Sequence, residues 1–162
     1  MASFVLSHVH ACDEAVRDMV RVLGPDGKLG VTAWGPLENE FRLRWQVHAE
    51  AAVGKEALDR AVFEALPGED RFADAAALAA VLKDAGLPEV QLHYCRYEVR
   101  TTIADFLSIR EDSIYGRFVR QSLDERAWHE FKTRMDSDFR EKFTDPVVYT
   151  RDAHIAIARR LP

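Results

Sequence analysis

The sequence has few of the features that mark several common protein classes. It contains only two cysteines, Cys12 and Cys95, and they form no C-x-x-C pair, which favours reduced thiols in a reducing compartment. No apolar run approaches membrane-spanning length, and residues 1–6 lack the basic segment of a signal peptide. The net charge of −5 argues against a nucleic-acid surface. We therefore expect a cytoplasmic protein with neither nucleic-acid nor membrane partners.

A glycine-rich loop is also missing. The eight glycines are scattered along the chain, and none belongs to a loop that follows a strand and opens a helix. Such loops let the backbone approach a nucleotide-like cofactor closely. Gly24, Gly27 and Gly30 are spaced three apart, but they precede a predicted strand instead of following one. This spacing is typical of a turn.

The stretch 21–35 contains the strongest local pattern, which predicts a helix end, a turn and a buried strand. Pro25 fixes its own φ and cannot extend the helix, and Gly27 tolerates the positive φ that a tight turn needs. Residues 29–33 are apolar and uncharged, as expected for a strand covered on both faces. The stretch therefore predicts a helix leading into a strand of an α/β sheet.

Periodicity and capping residues predict the remaining elements. Helices are predicted after Asp13, over 40–52 and 55–66, after Asp74, after Thr102, and after a capping box at Ser122–Glu125. Strands are predicted over 90–100 and at the end of the chain, where Ala153, Ile155 and Ile157 alternate.

The residues of 21–35 resemble the segment before and along the fifth strand of class I S-adenosylmethionine-dependent methyltransferases. That family writes it as R-V-L-(R/K)-P-G-G-R-L-x-(V/I), from which this chain departs at Gly24 and Asp26. Residues 3–9 resemble the turn after the family's fourth strand, and His8 falls on the second histidine of a pair found there. Residues 71–87 resemble its last sheet-packing helix. Together they are similar to the type 11, UbiE-like small-molecule methyltransferases.

The resemblance implies an α/β fold that forms the C-terminal part of a Rossmann-like methyltransferase sheet. Parallel strands would be joined by an antiparallel last strand lying between the two strands that precede it. The resemblance further implies a single domain over 1–162, incomplete at its N-terminus, with helical lid insertions at 36–69 and 101–146.

The implied function is a transferase that moves a methyl group from S-adenosylmethionine to a small-molecule acceptor. However, the family's glycine-rich loop and the acidic residue that receives the ribose hydroxyls are both missing. We therefore expect this chain to be inactive by itself and to be completed by a longer chain, a partner or a second copy. The alternative is a non-catalytic ligand-binding or dimerisation module derived from a methyltransferase.

The resemblance also implies roles for the turn from Phe4 to His8, which would border the cofactor methyl group and the substrate pocket. Phe4, Val5 and Leu6 would contact the cofactor. His8 would be the catalytic residue, orienting or deprotonating an acceptor hydroxyl. The alternative is a histidine that only closes the turn by hydrogen bonding.

Four further side chains are candidates for the substrate pocket: Trp34, Trp45, His48 and Trp128. Trp34 ends a predicted strand, where doubly wound folds bind ligands. Packing is the alternative for all four. It is favoured for Trp45 and His48, which share a helix face, and for the stripe that starts at Trp128 and continues through Phe131, Met135 and Phe139. No metal site is predicted, because the nearby His8 and His10 lack a third ligand.

A chain that starts inside a mid-sheet strand would expose an apolar edge. Such edges pair readily, and large apolar patches are rare on soluble monomers. We therefore expect self-association, most simply as a two-fold dimer that buries residues 1–6 and 29–33.

Overall fold

The computed structural model of the chain describes residues 1–36 and 39–161. Residues 37 and 38, which belong to the first predicted insertion, and residue 162 lie outside the described part. The chain divides into two compact units. The first unit comprises Met1–Leu37, Leu66–Tyr97 and Arg151–Pro162, and the second comprises Glu38–Ala65 and Glu98–Thr150. The single domain and its two lid insertions stay predictions.

Along the described residues, one α-helix separates the first two strands, and runs of four and three α-helices follow the second and third strands. The strands are β1 (Ala2–Ser3), β2 (Lys28–Trp34), β3 (Glu89–Thr101) and β4 (Val147–Arg159). The α-helices are α1 (Cys12–Arg21), α2 (Glu40–Val53), α3 (Lys55–Ala65), α4 (Glu69–Ala73), α5 (Ala75–Asp84), α6 (Ile103–Asp112), α7 (Ile114–Ser122) and α8 (Glu125–Lys142). A single 3₁₀ turn, Leu6–His8, follows β1.

The strands form one sheet in the order β1-β2-β4-β3. β1 runs parallel to β2, with Ala2 opposite Val31, and β4 runs antiparallel to β2, with Ala158 opposite Leu29. The last strand in the sequence therefore lies between the two strands that precede it, as predicted. The α/β fold class, with parallel strands and an antiparallel last strand, is confirmed.

The core of the first unit lies on one face of β2. Leu29, Val31 and Ala33 are buried there, and the residues that alternate with them are more exposed. Helices α1 and α5 cover this face with Cys12, Val16, Val20, Leu78, Val81 and Leu82. Burying a Val or Leu side chain contributes about 1.5–3 kcal/mol, so this face provides much of the unit's stability. The helix predicted after Asp74 is therefore present as α5, with Asp74 as its cap.

The core of the second unit is largely aromatic. The α8 stripe is buried through Trp128, Phe131, Met135 and Phe139. The Phe131 ring stacks on Trp128, with centroids 5.5 Å apart, and meets Trp45 of α2 edge-on at 6.0 Å. The helical spacing of these residues therefore forms a packing face.

Two predicted helix starts are wrong. Ala11, not Asp13, holds the cap position of α1, and the Asp13 carboxylate instead accepts two hydrogen bonds from Arg71, each 2.8 Å long. The Ser122–Glu125 box does not open α8 either. Asp124 is its cap, accepting from the backbone N–H of Ala127 at 2.8 Å. Arg71 binds the carboxylate predicted to cap α1, and Asp124 takes the place of Ser122 as the cap of α8.

The turn before β2 also differs from its prediction. Its positive φ, 61°, lies at Asp26 rather than at Gly27. Asp tolerates this region better than most residues because its short side chain bonds locally. Gly27 is needed for space, since a Cβ there would lie 2.8 Å from the carbonyl oxygen of Gly24.

Candidate functional site

The first unit places five of the predicted site residues near the C-terminal ends of two parallel strands. Phe4 directly follows β1, Val5 comes next, and the 3₁₀ turn then contains Leu6 and His8. Trp34 is the last residue of β2. Doubly wound sheets bind their ligands at this end. We call this group, together with Arg151 described below, the strand-end site.

Phe4 has an unusual backbone conformation at this site. Its φ is +53°, a region that costs an L-residue about 1–2 kcal/mol. The Phe4 N–H donates to both the carbonyl oxygen of Thr32, at 3.1 Å, and its Oγ1, at 3.0 Å. The Ser3 and Thr32 hydroxyls lie 3.1 Å apart. These contacts hold a strained residue in place, and such strain is concentrated at functional sites.

Trp34 lies between two stacked partners. The Phe4 ring stacks on it, with centroids 4.0 Å apart and an interplanar angle of 18°. The guanidinium carbon of Arg151 lies 3.8 Å from the Trp34 ring centre. At these distances the two groups fit only on opposite faces of the indole. The Tyr97 ring lies 6.4 Å away, tilted by 55°.

Arg151 is a residue that sequence reasoning missed. Trp34 pairs with Ala153 of β4, and Arg151 lies two positions before Ala153, on the same side of the strand. Arg151 and Trp34 are more than a hundred residues apart in the sequence, and the register between β2 and β4 brings them together. No local pattern in the sequence signals that register.

The side chains in the turn after β1 differ in their exposure to solvent. Leu6 is 1% exposed and belongs to the core of the first unit, whereas Val5 and His8 are exposed. The backbone N–H of His8 donates to the carbonyl oxygen of Val5 at 3.0 Å, which closes the turn. Within the described part of the chain, the His8 imidazole makes no hydrogen bond. Its ring is therefore accessible to a ligand.

Two glycines fix the strand-end site to its surroundings. Gly68 donates its N–H to the carbonyl oxygen of Ser7 at 3.1 Å, and a Cβ there would lie 3.1 Å from the Ser7 Cα. Gly35 donates to the carbonyl oxygen of Asp152 at 2.9 Å, and a Cβ there would lie 2.9 Å from the Asp152 Cβ. Both glycines therefore serve close packing within the chain.

Two polar residues of β4 lie beside Gly35. The Asp152 carboxylate accepts two hydrogen bonds from Arg96, at 2.6 and 2.7 Å, and this partner holds the pKa of Asp152 below its usual range. His154 is 6% exposed, and its Nε2 donates to the carbonyl oxygen of Ala73 at 2.9 Å. Its Nδ1 has no hydrogen-bond partner among the described residues.

The second unit contains a separate feature, an open groove of about 590 Å³ along α8. We call it the α8 groove. It is lined by His48, His129, Glu130, Thr133, Arg134, Ser137, Asp138 and Glu141.

Arg44 and His48, one turn apart on α2, converge on Asp138 in the wall of this groove. The Arg44 Nε donates to Asp138 Oδ2 at 2.7 Å, and its Nη2 donates to Oδ1. The His48 Nε2 lies 3.1 Å from Asp138 Oδ2, at ion-pair distance although not aligned as a hydrogen-bond donor. Arg44, with a smaller effect from His48, lowers the pKa of Asp138 to about 2. This carboxylate therefore stays ionised near neutral pH.

The predicted site residues fall in both units. Phe4, Val5, Leu6, His8 and Trp34 belong to the first, and Trp45, His48 and Trp128 belong to the second. Trp45 and Trp128 are 2% and 8% exposed, within the aromatic core, whereas His48 lines the α8 groove. Core burial agrees with the packing alternative for both tryptophans. The catalytic, cofactor-binding and substrate-pocket roles stay predictions.

The described residues form neither a metal-binding cluster nor a membrane-spanning helix. Across residues 1–36 and 39–161, no group of three or more His, Cys, Asp or Glu side chains is placed to hold a metal ion. None of the described helices combines the length and apolarity needed to cross a bilayer. Cys12 and Cys95 are both free thiols, the first buried and the second exposed.

Comparison with known proteins finds similar solved structures at low identity. No protein-family model matches the chain, and no curated protein matches its sequence. A Bacillus halodurans protein, provisionally assigned as a methyltransferase, is 15% identical over 99% of this chain, with a TM-score of 0.48. The YcgJ protein of Bacillus subtilis is 13% identical over 99%, with a TM-score of 0.48.

A third similar structure is Haemonchus contortus phosphoethanolamine N-methyltransferase 2, in complex with phosphomonomethylethanolamine and S-adenosylhomocysteine. It is 13% identical over 99% of this chain, with a TM-score of 0.41. This chain spans 62% of the length of each Bacillus protein and 32% of the Haemonchus enzyme.

Proposed function

We propose that this chain supplies the acceptor side of an S-adenosylmethionine-dependent methyltransferase that acts on a small molecule. The observation that carries the proposal is the strand order β1-β2-β4-β3, with β1 parallel to β2 and β4 antiparallel to it. This is the order that the sequence resemblance implies for the C-terminal part of the family's sheet. Residues 3–9 and 21–35, which carry the resemblance, lie along β1, the turn after it and β2.

The residues present do not make a complete site for S-adenosylmethionine. Gly27, Gly35 and Gly68 serve close contacts within the chain, and Gly54 and Gly86 take positive φ at helix ends. The described part of the chain has no glycine-rich loop between a strand and a helix that could hold the cofactor. Under this proposal, another polypeptide segment provides those contacts. The type 11, UbiE-like subclass remains part of the proposal.

The bound cofactor would supply an already activated methyl group. The protein then mainly has to align the acceptor and exclude water. In the strand-end site, His8 would orient the acceptor hydroxyl and accept its proton at an imidazole nitrogen. The stacked Phe4 and Trp34 would form an apolar wall beside it. Val5 and the backbone of Leu6 would lie towards the cofactor.

Several wider expectations belong to this proposal. A small-molecule partner, a cytoplasmic location and membership of a longer chain or a homo-oligomer are parts of it. The surface expected to be buried on self-association needs revision, because Ala2, Leu6 and residues Leu29, Val31 and Ala33 are already buried within the chain. A dimer contact there would have to use the exposed Met1, Ser3 and Val5 instead.

The experiment uses the native protein. An antibody against this chain isolates it from its source, its intact mass is measured, and ultraviolet light cross-links radiolabelled S-adenosylmethionine to the preparation. We expect label in the native preparation and none in the purified 162-residue chain. A native preparation that takes no label, yet still binds small molecules at the strand-end site, would favour the alternative, a ligand-binding module derived from a methyltransferase.

A further inference from the structure

We propose that Arg151 binds a carboxylate group of the small-molecule acceptor in the strand-end site. This rests on the proposed function and adds the chemical class of the acceptor, an acid with an aromatic or other flat body.

The Arg151 guanidinium lies over the Trp34 ring. Its central carbon lies 3.8 Å from the centre of the Trp34 ring, so one face of the group is covered by the indole. The N–H donors of an arginine lie in the guanidinium plane and point outward from its edge. Among the described residues, no group accepts a hydrogen bond from the Arg151 side chain, so these donors are available. A guanidinium edge matches the two oxygens of a carboxylate, which it binds through parallel hydrogen bonds.

The positive charge of Arg151 has no acidic partner among the described residues. The neighbouring Asp152 is already bound by Arg96 through two hydrogen bonds, at 2.6 and 2.7 Å. The charge of Arg151 is therefore not compensated from within the first unit. Since Arg151 is half-buried, water screens this charge less than it would on an open surface.

The Trp34 ring on which Arg151 lies is itself held in place by Phe4. Trp34 is fixed from its other face by Phe4, at 4.0 Å, and the Phe4 backbone is held by Thr32. A guanidinium that already rests on a fixed ring loses less conformational freedom when it binds a ligand. The exposed Tyr97 ring lies 6.4 Å from Trp34 and adds aromatic surface for the body of the ligand.

The test uses benzoate and benzamide, which share a shape and differ in charge. The side-chain Nε–Hε signal of Arg151 is followed by nuclear magnetic resonance in the full chain during each titration. We expect benzoate to move this signal saturably and benzamide to leave it unchanged. Arg151→Gln should weaken benzoate binding at least tenfold, and Arg151→Lys, which keeps the charge but loses the fork, should weaken it less.

The matched control is Arg159→Gln, on the same strand. Arg159 pairs with Asp26 at 2.7 Å, so its removal changes the net charge equally without touching the strand-end site. Benzoate binding should stay within twofold. The proposal is overturned if benzamide binds as well as benzoate, if Arg159→Gln weakens binding as much as Arg151→Gln, or if phenyl phosphate binds tighter than benzoate.

The wild-type titration decides the question even if a variant fails to fold, because it needs no substitution. The readout also requires no methyl donor. A failure to transfer methyl groups would therefore leave the carboxylate result intact. An Arg151 signal that does not respond to benzoate would refute the inference without bearing on methyl transfer.

Discussion

The rings of Phe4 and Trp34 stack 4.0 Å apart at the ends of two parallel strands, and Phe4 reaches this position only through a positive φ of 53°. The residue with the strained backbone, Phe4, therefore packs directly against the Trp34 ring. The strand-end site thus has a fixed wall before any ligand arrives, which is what the proposed alignment of an acceptor would require.

The strain at Phe4 predicts an unusual order of stability between two variants. Both Phe4→Ala and Phe4→Gly lose the stacked ring, but only glycine takes φ +53° without steric cost. We expect the glycine variant to be more stable than the alanine variant by about 1 kcal/mol in urea unfolding. At the next residue, Val5→Ala and Val5→Gly provide the control. Val5 has φ −109°, so alanine should be the more stable there. The same order at both positions would contradict the strain.

We expect truncation of the Trp34 side chain to weaken ligand binding without unfolding the chain. This side chain is half-buried and stacked on both faces, so Trp34→Ala should cost about 1–2 kcal/mol and still fold, whereas Trp34→Phe should keep most of the platform. Isothermal titration with phenol, a simple aromatic hydroxyl compound, should show weaker binding to Trp34→Ala than to Trp34→Phe. Unfolding of Trp34→Ala would instead support the packing alternative.

The sequence predicts helix starts correctly where interactions within a few residues determine them. The Asp74 cap and the Thr102 cap follow from side-chain chemistry within a few residues, and both are present. Asp13 was predicted as a cap, yet it binds Arg71, which lies 58 residues away along the chain.

The candidate site shows the same limit. Trp34 could be placed at a strand end from the sequence, because a strand followed by glycine is a local signal. Arg151 could not, since its contact depends on the register between β2 and β4. The alternation of Ile155 and Ile157 is present, but the more deeply buried set on β4 is His154, Ala156 and Ala158. Ala156 and Ala158 are small enough to fit under the helices on that face, a choice that only tertiary packing reveals.

The lowered pKa of Asp138 predicts that the free energy of unfolding depends on pH. This pKa is about 2 in the folded chain, below the ordinary value of 3.8, chiefly because Arg44 donates hydrogen bonds to the carboxylate. A depressed folded pKa stabilises the fold above the unfolded value, and that contribution is lost as the pH falls from about 4 to about 2. We expect Asp138→Asn to remove about 1–2 kcal/mol at pH 7 and to reduce the slope of the pH profile between those values, where Asp13 and Asp152 also contribute because arginines lower their pKa.

Urea unfolding followed by circular dichroism from pH 2 to pH 7 provides this measurement. Asp59→Asn is the control, because Asp59 forms an exposed ion pair with Lys55 at 2.8 Å. Exposed pairs contribute little, so this variant should stay within about 0.5 kcal/mol of the parent chain at pH 7. If Asp138→Asn keeps the parent's slope between pH 4 and pH 2, the assignment to Asp138 is refuted.

In the second unit, the backbone around Gly116 leaves no room for a side chain at this position. A Cβ there would overlap the carbonyl oxygens of Arg110 and Glu111 and lie 2.6 Å from the Glu111 Cα. These are backbone atoms and cannot rotate away, so Gly116→Ala should lose about 2–3 kcal/mol of unfolding free energy. Gly24→Ala is the matched control, because a Cβ there meets nothing within 4 Å. Equal melting temperatures for the two variants would show that α6 and α7 lie further apart than described.

Isothermal titration of S-adenosylmethionine into the purified 162-residue chain tests the central claim most directly. The chain is proposed to hold the acceptor side of a methyltransferase, while its glycines serve packing and turns rather than a cofactor loop. The account predicts no saturable heat up to about 1 mM cofactor, a limit that corresponds to less than about 4 kcal/mol of binding free energy. A low-micromolar dissociation constant would show that this chain carries a cofactor site of its own and would contradict the account.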